Sequence, residues 1–163
     1  MTEREELVAA TKATFATGVP NGWVLGWNRA RFETEIAALA RPFSCFNATS
    51  FDYARCNRYE IECRTEGEPT YLMLTVLISF ILDVFSTHWT RYENSSRFGS
   101  VVPTPNDTPL SVLEVRIAEM LRARDFRRIS DELYAMKIGG IELELSDPGG
   151  VTLGKCLFED SNG

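Results

Sequence analysis

The chain predicts an α+β fold: a single globular domain over residues 1–163, with an antiparallel sheet of about five strands and helices packed on one face. Three observations lead there. Apolar residues recur at helical spacing near the start and again behind a proline. Strict two-residue alternation appears between those stretches. The alternating stretches also stand together as hairpin-like pairs instead of interleaving singly with helices. With 163 residues, 44% apolar and 25% charged, the balance is that of one domain, which excludes disorder, a fibrous repeat and a multidomain assembly.

The first helix is expected over Glu3–Phe15, where good helix formers run up to the breakers Gly18, Pro20 and Gly22. A loop carrying Trp23 and Trp27 follows. A second helix is expected over residues 28–40, with Asn28 as N-cap, Phe32, Ile36 and Leu39 on one face, and Pro42 forbidding continuation. Over residues 57–64, Tyr59, Ile61 and Cys63 alternate with Glu60, Glu62 and Arg64, which fits a strand with one buried face and one wet, mostly acidic face. Turn chemistry at residues 65–69 leads to a strand over 71–79, apolar on both faces and therefore central, so the two form a hairpin. Residues 81–92 are β-rich too, but no Gly or Pro separates them from that strand. Either a tight turn lies near residues 79–83 or one long strand bends there.

Residues 94–109, with Gly99, Pro103, Pro105 and Pro109, read as a linker-like loop crossing from sheet to helix. Thr108 before Pro109 opens a third helix with Leu110, Leu113, Ile117 and Leu121 as its apolar stripe. It is expected to break over 125–130 and to resume through 131–137 up to Gly139 and Gly140. A second hairpin is expected from the alternation at 141–145, the turn at residues 147–150 and a strand over 151–158.

Seventeen Lys and Arg stand against twenty-three Asp and Glu, a net charge of −6, which disfavours generic binding to nucleic acid or to an anionic membrane and makes a charge-seeking partner basic. The charge is patterned: residues 116–128 hold five arginines against two acids, whereas residues 141–163 hold five acids against Lys155. The longest apolar run, 71–82, falls well short of the ~20 residues of a membrane-spanning helix. No secretory signal opens the sequence, so a cytoplasmic location is expected, with Cys45, Cys56, Cys63 and Cys156 as reduced thiols and the Asn-x-Ser/Thr triplets at Asn47, Asn94 and Asn106 as chance matches.

Catalytic and cofactor motifs are sparse, and no cofactor or metal is implied. The segment from Gly149 to Cys156 nearly spells a phosphate-binding loop, but Cys156 stands where a magnesium-binding hydroxyl is needed, so a hairpin turn is the expected reading. His88 is the only histidine, and any triad or zinc site must be built on it with Asp83, Ser86, Cys45 or Cys63. Set in an apolar strand, it reads first as a hydrogen-bonded structural residue. The acid pairs Glu60/Glu62 and Glu142/Glu144 each project to one side of a strand, where they are solvated and serve better as a binding surface than as general acids.

The tryptophan-rich loop GWVLGW, the apolar double strand YLMLTVLISFILDVFSTHW, the proline-led helix and the ending VTLGKCLFED, with Cys156, Leu157, Phe158 and Asp160, together resemble small immunity proteins of bacterial polymorphic toxin systems. The resemblance implies an α+β protein that binds and blocks a toxin domain without chemistry of its own. A basic toxin would meet Glu60, Glu62, Glu142, Glu144, Glu159 and Asp160 in place of phosphates, with Trp89 and Tyr92 as anchors. The protein is then a monomer or homodimer with a protein partner, and neither nucleic acid nor membrane. Two other readings stand beside it: a dimeric secretion chaperone holding a client segment, and a small-molecule binder or enzyme using His88 with Asp83 or a cysteine.

Overall fold

The computed structural model describes residues 1–93 and 98–161. Residues 94–97 of the expected linker, including the Asn94 triplet, lie outside them. Helix α1 (Glu3–Phe15) forms as predicted: the Thr2 hydroxyl accepts the Glu5 N–H at 3.2 Å, and Leu7, Thr11 and Phe15 line its buried side. Asn21 caps a short helix, α2 (Gly22–Leu25), by accepting from the N–H groups of Trp23 and Val24.

Helix α3 (Glu33–Ala40) is shorter than the expected 28–40. Asn28 does not cap it but closes a turn, its Oδ1 accepting the Ala30 N–H, and Phe32 takes a left-handed φ of 67°. Tertiary bonds decide this. Arg31 reaches Asn57 Oδ1 at 2.8 Å and the Ile78 and Ser79 carbonyls, and Tyr59 donates its hydroxyl to the Arg31 carbonyl, an arrangement that an unbroken helix would not present.

The sheet comprises β1 (Ser44–Asn47), β2 (Cys56–Cys63), β3 (Thr70–Ser79), β4 (Val84–Glu93), β5 (Ser100–Val102) and β6 (Arg127–Arg128). Strands β1 to β5 are sequential antiparallel neighbours, but β6 pairs with β4 in parallel, so the sheet is mixed and not purely antiparallel as expected. A turn separates β3 from β4. It carries no Gly or Pro because Ser79 Oγ accepts the N–H groups of Ile81 and Leu82, doing the work of a turn residue. Strand β5 lies inside the expected linker.

Helix α4 (Thr108–Ala123) starts where expected, but its cap is Asp107, which accepts the Leu110 N–H, with Thr108 as the first helical residue. Ser130 caps α5 (Asp131–Ala135). The second hairpin is absent. Residues 141–145 pair with no strand, and the expected strand over 151–158 is replaced by α6 (Leu153–Leu157), whose cap Thr152 accepts the Lys155 N–H. Leu153, Cys156 and Leu157 are fully buried at i, i+3 and i+4, a helical spacing that outweighs their β propensity.

Helices cover both faces of the sheet, not one. On one face α3 and α4 bury Ile36, Ile117 and Leu121 against Tyr59, Ile61, Leu74, Val76, Phe85 and Trp89. On the other, α1, α6 and the segment between α5 and α6 close over Cys56, Leu77 and Val84. The seal there is polar as well as apolar: buried Arg55 donates to the Lys155 and Cys156 carbonyls at the end of α6, and Ser79 Oγ donates to the Leu157 carbonyl at 2.8 Å. These bonds satisfy carbonyls that a helix end leaves open. Among the described residues no helix is long and apolar enough to cross a membrane.

Candidate functional site

The α1/α6 cover reaches only one end of its face. Along β2 the odd residues Tyr59, Ile61 and Cys63 face α3 and α4, so Arg58, Glu60 and Glu62 face the other way. Antiparallel register then sets rows across the sheet: Arg58, Leu77 and Ser86; Glu60, Thr75 and His88; Glu62, Met73 and Thr90. Beyond them Tyr71 lies opposite Tyr92, and Arg64 sits 3.8 Å over the Tyr71 ring.

Charge on this face is interleaved. Arg58 pairs with Glu60 at 3.3 Å and with Glu159 at 2.5 Å, and Arg64 pairs with Glu62 at 3.1 Å. Burial pulls the Arg58 guanidinium down, but Glu159 and Glu60 outweigh it and hold the cation above its ordinary pKa. The Glu60 and Glu62 side chains stay 24% and 25% exposed, enough to meet a partner. At the far end the Tyr71 and Tyr92 rings stack at 5.3 Å. A Cβ on Gly99 would come within 2.9 Å of the Tyr92 ring, so glycine there gives the ring its place.

His88 lies at the covered boundary. Its Nε2 shares a 2.8 Å hydrogen bond with Ser86 Oγ, and Tyr134 meets its ring edge-on at 4.9 Å. Burial lowers its pKa, against the pull of Asp131 and Glu159. Ser86 is only 1% exposed, so its hydroxyl cannot reach a substrate as a nucleophile. Burial also raises every thiol: Cys45 and Cys156 to about 11, Cys63 to about 12, and Cys56 well above its ordinary value. All four cysteines are free and held protonated.

Of the residues expected to bind a partner, Glu60, Glu62, Tyr92 and Glu159 come together on this face. Glu142 and Glu144 are exposed, but on the unpaired segment before α6. Trp89 is corrected: at 2% exposure it is a core residue packed under α4 and is no anchor on this face. Asp160 is corrected as well. It is 7% exposed and accepts the Leu145 N–H at 2.6 Å and the Ser146 hydroxyl, tying down the terminal segment. Sequence reasoning missed Arg58 and Tyr71. Both were legible, Arg58 by extending the even-numbered alternation one step back and Tyr71 by counting the hairpin register.

Compared with protein-family models, with curated proteins and with solved structures, the chain finds no match.

Proposed function

We propose that the protein is a non-catalytic binding protein that docks a basic protein domain on the open face of its sheet, and that this partner is a toxin domain whose working surface it covers. The observation that carries the reading is the run along one face from Glu159, held by Arg58, through Glu60 and Glu62 to the stacked Tyr71 and Tyr92 at the far end. Carboxylates with fixed positions meet basic groups, and half-buried tyrosines supply rigid apolar area at low entropic cost. Arg58 and Arg64 hold the carboxylates in place, so they need little reordering on contact. Buried Ser86 and the protonated thiols are suited to structure, and occlusion needs no reacting group.

The test uses two doubly neutralised variants, E60Q/E62Q and E142Q/E144Q, which lift the net charge equally. Titrated calorimetrically with the toxin domain encoded beside this chain, E60Q/E62Q should weaken binding on the order of tenfold, while E142Q/E144Q changes it little. Equal losses would make the attraction global and remove this face as the docking site. No toxin-encoding neighbour, or no binding by the wild-type chain, would overturn the toxin reading. An obligate dimer in size-exclusion chromatography would favour the secretion chaperone instead.

A further inference from the structure

The outer edge of β4 is paired at both ends and bare in the middle. Strand β5 pairs with its residues 89–91, and β6 pairs with Val84 and Phe85, where the Ile129 N–H donates to the Phe85 carbonyl at 3.0 Å. Main-chain groups alternate in direction along a strand, so Thr87, like Phe85 and Trp89, directs its N–H and C=O outward, into the gap. Neither group has a backbone partner among the described residues. The chain leaves the sheet at Pro103 on one side and turns into α5 at Ser130 on the other, leaving a cleft of about 350 Å³ between them. A third unmet polar group borders it: the Trp89 indole N–H is buried without a hydrogen-bond partner.

The walls of this cleft are fixed. Glu114, 4% exposed on α4, accepts from the hydroxyls of Thr87 and Thr104, each at 2.8 Å, and from Arg128 at 3.4 Å. One carboxylate therefore ties β4, the segment after β5 and β6 to the same helix. It also matches the Arg128 charge, which leaves exposed Asp131 as the unmatched charge at the mouth. Buried polar groups in folded proteins are paired almost without exception, and three unmet ones around a preformed cleft call for a ligand that carries both a carbonyl and an N–H.

We infer that this gap is a peptide slot: an extended segment of a protein partner adds as a short strand against Thr87, with a basic side chain beside Asp131. A peptide carbonyl accepts the Thr87 N–H, and a peptide N–H donates to the Thr87 carbonyl. The inference needs a peptide, not a toxin, and stands apart from docking on the open face.

The experiment titrates the full chain, labelled with nitrogen-15, with acetyl-Val-Lys-Val-amide and follows amide and indole resonances. In the free protein the Thr87 amide should exchange with solvent on the order of tenfold faster than those of Ser86 and His88, which face β3. Peptide should slow that exchange on the order of tenfold and shift the Trp89 indole signal saturably. Replacing lysine by glutamate in the peptide should weaken binding on the order of tenfold, and Asp131→Asn should narrow that preference. A Thr87 amide already protected in the free chain, or unchanged exchange at millimolar peptide, would overturn the slot. Either result beside intact toxin binding would leave the open-face reading standing.

Discussion

His88 shows how one burial decision becomes a measurable property. Its ring is pinned by Ser86 and Tyr134, and burial sets its pKa below the ordinary 6.5. In the interval beneath 6.5 the unfolded chain takes up a proton that the folded chain refuses. Stability therefore holds above that pH and drains away as the pH falls through the interval. Urea midpoints should fall between about pH 7.5 and about pH 5.5, and His88→Gln should flatten part of that slope. An identical slope in the variant would assign the titration to other groups.

Among the elements, α6 diverges most from what the residues suggested. Val151, Thr152 and Phe158 favour a strand, and the preceding glycines mimic a hairpin turn, so local preference pointed the wrong way. Burial decided otherwise: Leu153, Cys156 and Leu157 reach one core only as a helix. The glycine that suggested a phosphate loop has a packing role. A Cβ on Gly154 would lie 2.5 Å from the Tyr134 ring, which stacks on Phe158 and steadies His88. Gly154→Ala should cost about 1 to 3 kcal/mol in urea unfolding. By displacing Tyr134 it should also carry the His88 pKa back toward its ordinary value, which titration of the imidazole proton by NMR would read.

At the scale of the molecule, the strong periodicities were legible: α1, the β2–β3 hairpin and the stripe of α4 all stand where spacing placed them. Less legible were features set by distant residues. Strand β1 has four residues without apolar alternation, its Phe46 left exposed, β6 has two arginines, and the shortening of α3 depends on Arg31 reaching β2 and β3. Half of the candidate site followed from alternation along β2, whereas the burial of Trp89 depended on where the β3–β4 turn fell. Arg55 joins the two halves of the fold, and Arg55→Met should cost about 2 to 4 kcal/mol in urea unfolding by leaving two α6 carbonyls unpaired. Its bonds to Lys155 and Cys156 span 100 and 101 positions of chain. During synthesis β1 to β5 emerge long before α6, which completes the seal, and closing so large a loop is slow. The sheet is thus made early and sealed late, and a stalled nascent chain would offer Cys56, Leu77 and Val84 to whatever meets them first.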